Sequence, residues 1–372
     1  MIKRYILSPC GTSLLTNHAK NDQRKLVFTH ANAKSKDEVP RDDKVKLETL
    51  INNVSSAIDN AGYEEIKKMS AELNGIIKIY GGFIPSSNQD YHYLLSTDTW
   101  LGEETAKLVE KWLKSQNKNT TVVINRQKDL QTKDLSSFQS ALSDLVKQFD
   151  EELPGFSADG YHIVFNLTGG FKSVQGFLQS IAHFFADETV YIFETSLELL
   201  KIPRLPIKMD ATHIIEENIT YFRNLALGLA SEEQPDDIPE TLLFTLEGKT
   251  LLSPWGELVW SKSKGEIYEK SLFSSPNPNK IRYEPTFEKN VAALPPNRCK
   301  IINERIDQLH RHLVTNCNLD SLDFKPLKAG ALKNRKPSTH EIDAWADKDA
   351  KRIFGHFEEG CFVLDTLDDA IH

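Results

Sequence analysis

The 372-residue chain has few cysteines: four, at Cys10, Cys299, Cys317 and Cys361, scattered and without a CxxC pair. That spacing offers neither a zinc site nor a disulfide framework. No apolar run approaches transmembrane length, so no membrane partner is expected. Met1 to Leu7 begins like a signal peptide, but Ser8-Pro9 cuts its apolar stretch short, and a reducing cytoplasm is the expected setting. Positive charge is also short, 45 Lys and Arg against 53 Asp and Glu, for a net charge of −8. A whole-surface, nonspecific grip on nucleic acid is thereby excluded, while a local basic patch is not. Internal repeats and long low-complexity tracts are absent. The balance of 40% apolar to 26% charged residues suits a globular protein with room for two or three domains.

The most informative stretch is Asn166-Leu167-Thr168-Gly169-Gly170-Phe171-Lys172-Ser173. An apolar run, Tyr161 to Phe165, reads as a buried strand before it. After it, Val174, Phe177, Leu178, Ile181, Phe184 and Phe185 recur at helical spacing. Two glycines between strand and helix allow a sharp turn and a close backbone approach, and the helix's first N–H groups favour anionic oxygens. Thr168, Ser173 and Lys172 add hydroxyls and a positive charge. The glycine spacing fits neither a P-loop nor a dinucleotide fingerprint. The alternatives are a phosphate site and a purely structural turn with a solvated lysine.

Two further strand ends carry small hydroxyl residues. Tyr5-Ile6-Leu7 is a first strand followed by Ser8-Pro9-Cys10-Gly11-Thr12-Ser13, and Tyr91 to Leu95 is a strand followed by Ser96-Thr97-Asp98-Thr99. Thr99 or Asp98 is placed to cap a helix reaching about Leu113. Residues 26–43 read as a polar loop, with helices at 45–61 and 63–73. A strand at 121–124, a helix at 135–149 and a strand at 189–193 complete an alternation that predicts a mostly parallel, doubly wound sheet. Ligands of such sheets bind beyond the carboxyl ends of the strands. All three hydroxyl clusters fall there, which favours the phosphate site.

Beyond Pro206 the pattern changes. Residues 214–229 read as a helix, 231–237 as an acidic break, 242–273 as a small helical or winged element and 274–279 as a linker. In the tail, 281–287 is strand-like and 296–313 a helical-hairpin candidate with Ile302, Ile306, Leu309 and Leu313 on one face. Lys325, Lys328, Lys333, Arg335 and Lys336 form a basic run with no acid from Phe324 to His340. Strands are predicted at 340–345, 351–357 and 361–367. The histidine spacings form no metal motif, and His310 and His312 are placed on a helix surface without a role. The expected division is 1–206, 207–278 and 279–372.

Residues 1–206 resemble the CARF domain, the Rossmann-like sensor of CRISPR-associated effectors. The resemblance rests on Ser8 to Ser13 after the first strand and Asn166 to Ser173 near the domain's end. It implies a homodimer that binds a cyclic oligoadenylate, cyclic tetra-adenylate by preference, across its two-fold axis. Cys10, Gly11, Thr12, Ser13, Thr97, Thr168, Gly169, Gly170, Phe171, Lys172 and Ser173 are the implied contacts. Ser13 and Lys172 would also serve a slow cleavage of the activator.

Residues 279–372 are similar to RelE-type messenger-RNA interferases, a smaller α+β fold with an antiparallel sheet. The similarity is carried by strand, helices, basic loop and a final meander containing Lys351-Arg352-Ile353-Phe354. It implies metal-independent cleavage with no cofactor beyond the activator. Arg352 would stabilise the transition state beside Lys351, Glu341 or His356 would be the base, and His372 the acid. Paired lysines used by some members have no counterpart, since Glu341 and Asp343 occupy that region. The basic run would meet RNA and the ribosome, with 207–278 a coupling element toward a ribosomal protein such as the stalk. Two alternatives stay open: a winged-helix transcription regulator, against which Lys249, Lys262, Lys264 and Lys270 are too few for DNA, and a ring nuclease with an inert tail.

Overall fold

The computed structural model describes residues 2–87, 89–131, 133–192, 198–207, 211–229, 235, 237–317, 321–328, 337–347 and 349–369. The chain divides into two compact units, Met1–Lys208 and Met209–His372.

In the first unit, β1 (Lys3–Cys10), β2 (Tyr91–Ser96), β3 (Thr121–Arg126), β4 (Tyr161–Asn166), β5 (Glu188–Ile192) and β6 (Leu199–Pro203) form one sheet. Its order is β3-β2-β1-β4-β5-β6, parallel throughout except for the β5–β6 pair. The expected mostly parallel sheet is therefore present. Six consecutive residues of β1, Tyr5 to Cys10, are buried, as a strand covered on both faces requires. The chain runs outward from β1 to β3 and then returns to β4 on β1's other side. That reversal opens a crevice at the carboxyl ends of β1 and β4, where the Cys10–Ser13 and Asn166–Ser173 motifs stand.

The first unit's helices are α1 (Ser13–Thr16), α2 (Asn21–Thr29), α3 (Arg41–Asn60), α4 (Tyr63–Met69), α5 (Ala71–Ile79), α6 (Trp100–Gln116), α7 (Leu135–Ala158) and α8 (Lys172–Phe185). The stretch expected as a polar loop holds the end of α2, a short 3-10 turn and the start of α3. Its helicity is hidden by charge, because α2 buries only Val27 fully. Asp42 and Asp43 favour the amino end of α3. The helix expected at 63–73 is two helices, broken at Ser70, whose Oγ accepts from the Leu73 N–H and caps α5. Thr99 caps α6 as expected, its Oγ1 accepting from the Gly102 N–H at 3.2 Å.

In the second unit, α9 (Thr212–Glu217) and α10 (Ile219–Ala226) are separated at Asn218, where one longer helix was expected. A hairpin follows, β7 (Leu243–Leu246) and β8 (Lys249–Leu252). It turns through Glu247 and Gly248, both at positive φ (51° and 77°), as the twist of a two-residue hairpin demands. Ser253 caps α11 (Pro254–Lys270). Then come β9 (Ile281–Tyr283), α12 (Pro285–Ala292) and α13 (Pro296–Thr315). The strand predicted at 281–287 stops early because Pro285 opens α12. The region expected as a helical hairpin is one helix, with no internal breaker before Asn316 ends it in the left-handed region.

The short strand β10 (Lys325–Pro326) precedes β11 (His340–Trp345), β12 (Lys351–Glu358) and β13 (Cys361–Asp369). The sheet order is β10-β11-β12-β13-β9, antiparallel save for the β13–β9 pair. Phe287, Ile302, Ile306 and Leu309 from the helices pack on Ile342, Ile353, Phe362 and Leu364 from the sheet. A buried ion pair ties α10 to α13: Arg223 Nε donates to Asp307 Oδ1 at 2.7 Å, and Tyr268 on α11 donates to Asp307 Oδ2. The segment expected to couple the two ends thus shares an interior with the tail. His310, expected on a helix surface, is 2% exposed, and burial, then the charge of Arg223, pushes its pKa down.

Candidate functional site

At the ends of β1 and β4 the two motifs meet around a residue that neither contains. Glu72, in the first turn of α5, has no solvent exposure. The Gly11 N–H donates to its Oε1 at 3.0 Å. The Ser13 hydroxyl donates to Oε2 at 2.6 Å and the Ser70 hydroxyl at 2.8 Å. One backbone amide and two hydroxyls are what a phosphate oxygen would seek, and here they enclose a carboxylate. A Cβ at Gly169 would stand 2.5 Å from Glu72 Cδ, so this glycine makes room for Glu72. Gly170 has φ +98°, and a Cβ there would stand 2.8 Å from Pro9 Cβ. Both glycines of the pair answer to contacts within the protein.

The other expected activator contacts divide into interior and rim. Cys10 is buried, its Sγ directed to the Ser8 carbonyl, and burial followed by the charge of Glu72 pushes its thiol pKa well up. Thr97 is buried, its Oγ1 2.9 Å from the Oγ1 of Thr99, and both belong to the start of α6. Thr12 is half-buried ahead of α1. Thr168 Oγ1 is shielded from solvent, and among the described residues no hydrogen bond reaches it. Asn166 is fully buried and donates to Ser8 Oγ (3.1 Å) and the Glu72 carbonyl (3.0 Å), which locks β4 to β1 and α5. Phe171 is the residue before α8, and Lys172 and Ser173, both exposed, open that 14-residue helix. No side chain caps α8 among the described residues, so the first-turn N–H groups keep their preference for anions.

Glu72, Ser70 and Gln175 escaped the sequence reading. Gln175 donates from Nε2 to the Leu167 and Gly169 carbonyls at 3.0 and 2.8 Å and holds the turn in shape. The signal for Glu72 was faint: an acid two residues after a serine, amid apolar residues that bury the helix. Nothing in the sequence links it to Gly11, 61 positions away.

In the tail sheet, Arg352 on β12 is surrounded by acids. Its Nη1 lies 2.7 Å from Glu341 Oε1, and Nη2 lies 3.0 Å from Asp343 Oδ1 and 3.7 Å from Asp323 Oδ2. Lys325 joins the cluster through Asp323 and, at 3.9 Å, Glu341. The guanidinium expected to meet a phosphate is therefore engaged, and so is the Glu341 carboxylate considered as a base. Lys351 is 2.6 Å from Asp369 at the surface. His356, four residues from Arg352 and hence on the same face of β12, approaches Asp365 through Nδ1 at 2.9 and 3.1 Å. Lys328 is exposed, while Lys333, Arg335, Lys336 and His372 lie outside the described residues. Among the described residues no group of three or more His, Cys, Asp or Glu is placed to hold a metal ion, and no helix is long and apolar enough to cross a membrane.

Part of the first unit is similar to a known family. Residues 67–205, from within α4 to two residues past β6, match the family described as CRISPR-associated protein (Cas_APE2256). No curated protein matches the chain. Among solved structures, Can2 from Sulfobacillus thermosulfidooxidans in complex with cyclic tetra-adenylate aligns over 96% of this chain and 78% of its own, at 8% identity and a TM-score of 0.24. A TM-score that low carries no argument about this chain. What stands is that the parallel-sheet unit, from α4 to the end of its sheet, is similar to a CRISPR-associated family.

Proposed function

We propose that the chain is a CRISPR-associated effector in which residues 1–206 sense a cyclic oligoadenylate, cyclic tetra-adenylate by preference, and residues 279–372 cut messenger RNA. The observation that carries the reading is the convergence of the Cys10–Ser13 and Thr168–Ser173 motifs at the β1/β4 reversal, in a unit similar to a CRISPR-associated family. The exposed Lys172 and Ser173 at the uncapped start of α8 supply the anion-binding rim. In this reading two copies of the chain share one ring across a two-fold axis. Ser13 and Lys172 would also support slow ring cleavage in the same site.

The tail is proposed as a RelE-like ribonuclease. The 2′-hydroxyl of the RNA attacks its neighbouring phosphate, Arg352 steadies the charge that develops, and the ribosome presents the strand. Lys325, Lys328, Lys333, Arg335 and Lys336 would face the RNA, and residues 207–278 would couple the two ends. The salt bridges that engage Arg352 give this resting site a closed form, so activation has to free the guanidinium. The helix–helix–hairpin–helix order of α9 to α11 favours a second reading, a winged DNA-binding element. Its lysines are partly neutralised, Lys264 by Glu304 at 3.4 Å and Lys270 by Glu216.

The test is calorimetry with cyclic tetra-adenylate, joined to primer extension on translating ribosomes with and without the ring. One ring per dimer and ring-dependent cutting support the proposal. A gel shift on the protein's own promoter DNA, with no RNA cutting, supports the winged reading instead.

A further inference from the structure

Asp365 is the least expected residue of the tail sheet. Phe354 pairs with Thr366 and Gly355 with Leu364, which leaves Asp365 as the extra residue of a β-bulge. A bulge redirects a side chain that regular pairing would send elsewhere. A Cβ at Gly355 would stand 2.4 Å from the Val363 carbonyl oxygen, so a glycine is required where the strands close up beside it. The redirected carboxylate is 7% exposed. Its Oδ2 accepts from the Ser338 hydroxyl at 2.6 Å and its Oδ1 from His356 Nδ1 at 2.9 Å. A carboxylate accepts, so Nδ1 is the nitrogen placed to donate to Asp365 and Nε2 the one that can present a lone pair. Among the described residues, the imidazole's hydrogen bonds run to Asp365 alone.

We propose that Asp365, steadied by Ser338, is the positioning residue that fixes His356 with its Nε2 lone pair presented as the general base of RNA cleavage. This rests on the ribonuclease reading of the tail and selects among that reading's bases. Glu341 is tied to Arg352, whereas among the described residues His356 is engaged through Nδ1 alone. Nε2 takes the 2′-hydroxyl proton as the 2′-oxygen bonds to phosphorus. The bond from phosphorus to the 5′-oxygen breaks, and that oxygen takes a proton from water. The products are a 2′,3′-cyclic phosphate and a 5′-hydroxyl, and the imidazolium returns its proton to solvent. Asp365 stays ionised, holding the ring and stabilising its charged form. Arg352 and His356, on one face of one strand, would serve the phosphate and the hydroxyl of a single nucleotide step.

The tautomer separates this role from simple packing. Long-range proton–nitrogen NMR on the full-length protein, with His356 assigned through H356Q, should show the Nδ1–H form in the wild type and its loss in D365N. Ring-activated cleavage on ribosomes should fall at least a hundredfold in D365N and H356Q, with ring binding and melting temperature held close to wild type. S338A, which removes the hydroxyl that steadies Asp365 but leaves the Asp365–His356 bond, should keep the Nδ1–H form and lose less of the rate than D365N. If D365N does not fold, S338A and the wild-type spectrum still decide the placement. An Nε2–H tautomer in the wild type, or wild-type cutting by D365N, overturns the proposal. Should the wild type cut no RNA with any ring, the ribonuclease reading fails and the assignment of a base falls with it, whatever the tautomer.

Discussion

At the ends of β1 and β4 a carboxylate without solvent exposure is enclosed by an amide and two hydroxyls, whereas in the tail sheet three partly exposed carboxylates surround one guanidinium. Both arrangements occupy groups that a phosphate would use. They differ in what it costs to release them. Glu72 gives up buried donors that have no water to turn to, so it behaves as part of the framework. The acids around Arg352 face solvent on one side, where ion pairs are worth little and exchange readily. An incoming nucleotide is therefore expected to meet the first unit at its rim, through Thr12, Lys172 and Ser173, and the tail at its centre.

The largest expected effect breaks the first half of that comparison. Glu72→Ala leaves three donors unsatisfied in the interior and should lower stability by roughly 3 kcal/mol, read as a reduced urea midpoint. A neutral result would mean that Glu72 is as exchangeable as the acids around Arg352. Next is Arg352→Ala, expected to slow ring-dependent RNA cutting on the order of a hundredfold while ring binding is kept. Arg352→Lys should restore little, because an ammonium cannot grip two phosphoryl oxygens. Full cutting by Arg352→Ala would place the ribonuclease site elsewhere.

A smaller effect separates a buried histidine of the first unit from the half-buried His356. Burial lowers the His92 pKa to about 4, against a weaker opposing pull from Asp90, and its Nε2 is 3.2 Å from the Tyr80 hydroxyl. A histidine with a lowered folded pKa leaves the unfolded chain binding the extra proton. Its contribution is therefore full above about pH 6.5 and is lost as pH falls toward 4. From pH 7 to 5.5 this amounts to about 1 kcal/mol, and His92→Gln should flatten that part of the stability profile. An unchanged slope would mean that His92 is not the group titrating. The smallest expected effect is on stability in Glu341→Gln with Asp343→Asn, within about 1 kcal/mol, because these pairs are partly exposed. The same double variant should raise RNA cutting in the absence of ring if the salt bridges hold the site closed. A large loss of stability would show these acids to be framework after all.

Much of the architecture was legible in residues that repeat. Continuous apolar runs at Tyr5–Leu7 and Tyr161–Phe165, helical spacing after Lys172 and the strand–helix alternation pointed to a mostly parallel sheet with the hydroxyl-rich loops at the carboxyl ends of its strands. The three tail strands were readable because β-rich segments there are separated by polar turns. Helix α2 was missed because a mostly exposed helix carries few apolar residues to mark its period. The break at Ser70 was missed because a serine within an apolar pattern reads as tolerated until its hydroxyl is seen to cap the next helix.

By itself the sequence determined the local chemistry: where the strands end, which helix starts carry hydroxyls and a lysine, and where an arginine sits in a strand. These follow from period, turn residues and charge within a few positions of one another. Only the tertiary structure decided what those groups are bound to. Glu72 reaches Gly11 and Ser13 from 61 and 59 positions away, and Asp365 reaches Ser338 from 27. Such pairings depend on sheet order and a bulge, which bring distant side chains within 3 Å, and separation along the chain carries no trace of that distance.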